Sequence, residues 1–267
     1  MIEAFRLGAL GRTGTLWDGV DLSFGDGEVW LVSGPPSCGK SLLLRILRGD
    51  RRPDAGDVVV GGESLVRGAR DAAASFRASA GLVPESFPSA DFKDPRTGTA
   101  RTVGDLFRLS AIVAGAIPAK ERKRREEELL ALVGLSDPDP GPDAETPPSG
   151  GAHAWELSSL SLSERARVAL AAELLRNPKY LFADLLVANA GKGWSDTLGA
   201  LFRALAREGR TIVLAERAVP DRWQVARAGD PAASGPFSFY RLGAAAAEPK
   251  RSDLEWLPGG TEGEEKA

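Results

Sequence analysis

The sequence predicts an α/β fold with a largely parallel sheet, and three observations carry that expectation. Short apolar runs of strand character alternate with helical stretches along most of the 267 residues, the pattern that lays helices against a parallel sheet. One such run, 28–33 (EVWLVS), leads into a glycine-bearing loop that opens a helix. The stretch from about 102 to 175 is mostly helical and reads as a lobe of its own.

Taken in order, residues 20–24 alternate weakly and end at a Gly-Asp-Gly turn, and 28–33 reads as a buried strand. Residues 41–47 (SLLLRIL) have helical character. Two short strands follow, 58–60 between glycines and 81–83 broken by Pro84. Residues 86–101 form a polar loop. Helices are expected over 103–115 and 119–133. The second has Leu129, Leu130 and Val133 on one side of a charged surface, and its KERKRREEE run reads as a solvated face. Residues 136–154 are rich in Pro, Gly and acid, the composition of a loop or disordered insertion. The single histidine, His153, lies there with no second ligand near in sequence, so no metal or catalytic role is expected of it. Helix returns over 161–175, then strand 180–184 (YLFAD), helix 196–207, strand 211–215 (TIVLA) and a late strand 237–242. The tail from Ala245 is expected to be loose.

Composition narrows the function classes. With 43% hydrophobic and 27% charged residues the chain is an ordinary globular one. A net charge of -3 gives no basic surplus, so no nucleic-acid partner is expected. One cysteine, Cys38, excludes an intrachain disulfide and suits a reducing compartment. The apolar stretch 111–118 is too short to span a bilayer, and the N-terminus lacks the apolar core of a secretory signal. The expectation is a soluble chain that can dock on a membrane protein.

The chemistry concentrates at Gly34-Pro35-Pro36-Ser37-Cys38-Gly39-Lys40-Ser41, which fits G-x-x-x-x-G-K-[ST] between a strand and a helix. Glycines let successive backbone N–H groups point at phosphate oxygens, and the helix start adds partial positive charge. Lys40 reaches the β- and γ-phosphates and the Ser41 hydroxyl holds Mg²⁺. A second acid is needed at the carboxyl edge of the sheet, and Asp184 ends a buried apolar strand there.

At this point the chain resembles the ATPase subunit of an ABC transporter. GVDLSFGDGEVWLVSGPPSCGKSLLLRILRGDRRPDAGDVVVGG is similar to that family's opening, and LSLSERARVALAAELLRNPKYLFAD to the stretch from its signature motif to its Walker B strand. The likeness runs from about 19 to 242. It implies a P-loop NTPase core of ABC type with a mainly parallel sheet, an N-terminal antiparallel β portion and a helical subdomain. Residues 1–245 would form one domain, with core 1–101 and 176–245 and helical subdomain 102–175. Residues 246–267 would be a flexible tail. ATP and Mg²⁺ are implied as cofactors, with Gly34 to Leu42 as the ATP-binding segment. Also implied are a head-to-tail homodimer or heterodimer, a membrane-spanning partner subunit, and a cytoplasmic place on the inner face of the cell membrane.

Residue by residue, the family's catalytic set is altered. The signature LSGGQ stands here as Leu160-Ser161-Leu162-Ser163-Glu164, with Ser161 and Ser163 as candidate contacts to a phosphate across a dimer. Ser161 and Glu164 also spell a Ser-x-x-Glu helix cap. The general-base position is Leu185 and the switch position is Arg217. The Q-loop position is Glu85, a further candidate metal ligand beside Ser41 and Asp184. The adenine-stacking position falls near Gly11, where only Leu10 and Arg12 stand, and Leu42 replaces a threonine. Groups for binding survive and groups for hydrolysis do not. The expectation is a subunit that binds Mg-ATP, hydrolyses little or none, and serves a membrane ABC complex structurally or as a regulator. Two alternatives stand beside it. One is a working ATPase that uses Glu85 or Glu216 as its acid. The other is a scaffold without nucleotide binding, since Pro36 offers no N–H. The loop 86–101, with Phe87, Phe92, Lys93 and Arg96, is expected to touch the membrane partner.

Overall fold

The computed structural model of the protein describes residues 1–11, 14–69, 71–87, 93–95, 97–115, 117–135, 151–220, 223, 237–242 and 254–257. Two sheets organise them. A four-stranded antiparallel sheet holds β1 (Ile2–Gly11), β2 (Gly14–Phe24), β4 (Ala55–Val60) and β5 (Glu63–Ser64) in the order β2-β1-β4-β5. The second sheet contains β3 (Val29–Ser33), β6 (Ala80–Val83), β7 (Tyr180–Asp184), β8 (Thr211–Glu216), β9 (Phe237–Leu242) and β10 (Leu254–Leu257) in the order β10-β9-β3-β8-β7-β6. Every pairing in it is parallel except β10 with β9. The fold class read from the sequence is thus the observed one.

Strands β3, β7 and β8 are buried at every residue. That explains their unbroken apolar runs, because a parallel strand covered on both faces has no polar alternation. On one face, helix α1 (Lys40–Leu47) packs Leu43, Leu44, Ile46 and Leu47 into a core shared with Ile2, Leu7, Trp17 and Phe24 of the antiparallel sheet. On the other face lies a second core, with α3 (Val103–Ala114), α4 (Ala119–Leu132), α5 (Leu162–Leu175), α6 (Leu186–Ala190) and α7 (Ser195–Arg207). Helix α5 is its hub, with nine buried residues. Its Arg167 is buried and donates to Val133 O at 2.8 Å, which pins the end of α4, while its guanidinium lies 4.4 Å from the Trp194 ring centre. The charged run on α4 forms i,i+4 pairs such as Arg125–Glu121 and Arg122–Glu126. Strand β9 is fastened on both sides by stacked rings. Tyr240 lies on Trp30 and Phe237 on Trp223, each pair 4.7 Å between centroids.

Several expectations need correction. Strand β1 is not among the expected strands, and register shifts and a left-handed Arg6 (φ 48°) break its alternation. Helix α2 (Ala72–Ser79) is a further unexpected element. It is alanine-rich and buries only Ala72 and Phe76. The strand expected at 58–60 begins at Ala55, and α6 follows β7 directly. Within the insertion 136–154, Gly151–Ala154 is a 3-10 turn, and 136–150 lies outside the described residues. His153 there sits 3.1 Å from Glu126 Oε2 and against the Phe107 ring. In the tail expected to be loose, Leu254–Leu257 pairs as β10 with β9. No described helix is long and apolar enough to cross a membrane.

Candidate functional site

Strand β3 delivers the chain to the loop 34–39, and Gly39 caps α1 with a left-handed backbone (φ 96°). Ser37 is left-handed as well (φ 64°). Alternation of this kind folds backbone N–H groups into a concavity suited to anions. Lys40 is buried. Its ammonium donates to Gly34 O and Pro35 O at 2.8 Å each and approaches Cys38 Sγ at 3.7 Å. The cation is therefore held over the loop that its charge would serve.

Strand β7, separated from β3 by β8, places Asp184 beside α1. Burial pushes the Asp184 carboxyl above the usual carboxylate range, and Glu85 adds to this; a hydrogen bond with Ser41 and the charges of Arg45 and Lys40 oppose it. Asp184 is only 8% exposed and its Oδ1 has no hydrogen-bond partner. A buried carboxylate oxygen without a donor calls for one, and the waters of a hydrated divalent cation supply it. Ser41 and Asp184 thus fit Mg²⁺. Among the described residues no group of three His, Cys, Asp or Glu gathers as a metal cluster, so such a cation would rely on phosphate oxygens as well. Glu85 is exposed, and its main-chain oxygen accepts from Asn189 Nδ2 at 2.7 Å, so its position is fixed against α6.

The positions implicated in hydrolysis look different. Leu185 is buried and left-handed (φ 50°), and its N–H donates to Ala215 O at 2.8 Å. Glu216 is 2% exposed, and its two oxygens accept from Val187 N at 2.7 Å and Ala188 N at 3.2 Å. It caps α6. Burial pushes its pKa up to about 7, helped by the charge of Asp184 and opposed by the two amides and Arg217. Arg217 itself is exposed.

At the signature-like segment, Ser161 Oγ accepts from Glu164 N at 3.3 Å and Glu164 Oε2 accepts from Ser161 N at 2.7 Å. The reciprocal cap read from the sequence is present at the start of α5. These bonds hold the Glu164 carboxyl below its usual range. Ser161 is exposed, but Ser163 is not turned outward as expected. Its hydroxyl donates to Ala190 O at 2.6 Å, because the first turn of α5 packs on α6. Leu162 is 49% exposed beside it.

Along α1 runs a cavity of about 1040 Å³ lined by Leu10, Gly11, Leu16, Ser41, Leu42 and Arg45, among others. Leu10 and Gly11, read as the base-stacking region, do lie near the phosphate loop; Arg12 is outside the described residues. Arg45 and Trp17 border the site without having been singled out in the sequence. A Ser41-to-Arg45 helical spacing was the available sign for the first, and nothing local signals the second. In the loop after β6, Phe87 packs half-buried against the core and Lys93 is exposed, while Phe92 and Arg96 lie outside the described residues.

Comparison with known proteins follows the same lines. A family model described as ABC transporter matches residues 17–185. An uncharacterized ABC transporter ATP-binding protein of Thermotoga maritima is 34% identical over 197 residues, 73% of this chain and 74% of that protein. The methionine import ATP-binding protein MetN of Leifsonia xyli is 31% identical over 227 residues, covering 82% of this chain and 60% of that protein. The Fe(3+) ions import ATP-binding protein FbpC of Streptomyces avermitilis is 32% identical over 232 residues, 84% and 59%. The chain thus spans about three fifths of the length of these import relatives. Among solved structures, the dimeric ATP-binding cassette MJ0796 bound to ADP and Pi shares the fold, with a TM-score of 0.68 at 20% identity over 97% of this chain and 100% of that one.

Proposed function

The chain belongs to the ABC transporter family, and from that premise we propose that it binds Mg-ATP with little or no hydrolysis. In this reading it is a structural or regulatory ATP-binding part of a membrane ABC complex. The observation that carries the reading is the contrast along one sheet edge. Lys40, Ser41 and the unpartnered Asp184 oxygen stand ready for phosphate and metal, whereas the residue after Asp184 is a buried leucine that can neither take nor orient a proton. Residues 34–42 hold the nucleotide, and ATP supplies the phosphate oxygens that complete the metal's shell. Exposed Ser161 is the remaining signature group for a phosphate across a dimer, and Ser163 supports it from within. The partner is a membrane-spanning subunit at the inner face of the cell membrane, with a second ATP-binding chain, identical or not, completing each site. Residues 1–245 act as one domain, and no nucleic acid takes part.

The test is calorimetry with Mg-ATP on the wild type and Lys40→Ala, beside a turnover assay. Micromolar binding that Lys40→Ala abolishes, with turnover near background, is the expected result. Ordinary turnover lost in Lys40→Ala would overturn the non-hydrolysing part.

One observation favours a second reading, a working ATPase. Glu216 is a buried acid that feels the charge of Asp184, with a pKa of about 7 suited to accepting a proton near neutrality. Against it, both its oxygens are occupied by the amides of α6.

A further inference from the structure

We propose that Trp17 is a positioning residue of the nucleotide site, its indole N–H donating to an oxygen of the bound nucleotide. The proposal rests on the reading that loop 34–42 binds Mg-ATP.

A buried tryptophan ordinarily finds a partner for its N–H. Two others in this chain do. Trp30 Nε1 donates to Glu28 Oε2 at 2.7 Å and Trp223 Nε1 to Ser195 O at 3.2 Å. Trp17, on β2, is 2% exposed and its Nε1 has no partner. The atom does not lie in an arbitrary part of the core. A Cβ added at Gly39 would sit 2.6 Å from Trp17 Nε1 and 3.3 Å from Leu16 Cδ1. The indole N–H is therefore packed against the glycine that caps α1, at the helix end where partial positive charge gathers. Its presence excludes a side chain at position 39 independently of the left-handed backbone there.

Leu16, half-buried, stands beside the indole and lines the cavity with Ser41 and Leu42. In this proposal Leu16 moves aside as a ligand oxygen meets the N–H. A second buried atom without a partner, Asp184 Oδ1, lies on β7, and Asp184 meets Ser41 at the start of α1. A lone donor beside Gly39 and a lone acceptor beside Ser41 match a ligand that brings anionic oxygens together with a hydrated cation. Mg-ATP brings both. A donor left without a partner carries its full desolvation penalty until one arrives, so its satisfaction would add directly to affinity.

Trp17→Phe keeps an aromatic ring and removes the N–H. Calorimetry is expected to show Mg-ATP binding weakened about tenfold. In case the variant does not fold, the wild type gives an independent readout. The Trp17 indole proton, assigned through its contact with Gly39, is expected to move downfield in the NMR spectrum when Mg-ATP is added. A purely space-filling Trp17 would lower the melting temperature of Trp17→Phe without that movement. If the wild type binds Mg-ATP yet the resonance stays, or Trp17→Phe binds within twofold of it, the assignment of Trp17 falls and the nucleotide reading stands. If the wild type binds no Mg-ATP, the nucleotide reading fails and Trp17 with it.

Discussion

The wall of the phosphate loop and the junction of α5 with α6 are both polar, yet they treat their polar groups in opposite ways. At the loop, Asp184 Oδ1 and Trp17 Nε1 are buried and unpartnered. At the junction, Ser161 and Glu164 satisfy each other, Ser163 donates to Ala190 O, and Glu216 closes on two amides of α6. Buried polar groups left open destabilise a fold, and those closed on each other stabilise it. Under the proposed function, the difference separates a surface kept for a ligand from one that holds the chain together. In the signature-like segment, Ser163 and Glu164 both take part in internal bonds, with Ala190 O and Ser161 N.

The comparison can be broken most forcefully at Glu216. Its folded pKa of about 7 lies above its unfolded value of 4.5, so the folded chain binds the extra proton between them. Stability from this group is then full below about pH 4.5 and is lost as pH rises through about 7. Glu216→Gln is expected to flatten that slope, worth on the order of 3 kcal/mol in all, as read by urea melts at pH 5 and pH 8. The same variant sharpens the functional choice. Unchanged background turnover supports the closed-junction role, and loss of real turnover supports the second reading.

Ser161→Ala comes next. It removes the cap of α5 and is expected to lower stability by about 1 kcal/mol, measured by thermal melting, with Mg-ATP affinity of the isolated chain unchanged. Asp184→Asn should do the reverse. Burial makes the ionised carboxylate unfavourable, so stability from this residue decreases as pH rises through its raised pKa, and the neutral amide removes that loss. A gain below about 1 kcal/mol in the unliganded chain should accompany weaker Mg-ATP binding by calorimetry. A loss of stability instead would contradict the idea of a group kept open.

Much of this was legible in the sequence because the signals are local. The phosphate loop, the Ser161–Glu164 cap and the apolar runs of β3, β7 and β8 each lie within a few consecutive residues. What was missed depends on distant partners. Ser163 turns inward because Ala190, 27 residues on, accepts its proton. Glu216 reads as a spare acid until Val187 and Ala188, 29 and 28 residues away, occupy it. Trp17 carries no local sign of a role until Gly39 is folded against it. Strand β1 was hidden by its own irregular register, and α2 by a run of alanines with little apolar contrast.

The ring pairs on β9 give the molecule an optical handle. Trp30 with Tyr240 and Trp223 with Phe237 place one coupled chromophore on each side of the central sheet. A chain cut ahead of Phe237 would take the stacked ring from both indoles at once, leaving Trp30 its edge contact with Phe24 and Trp223 its edge contact with Phe202. Its near-ultraviolet dichroism would fade for both faces together, while the phosphate loop kept every residue it has.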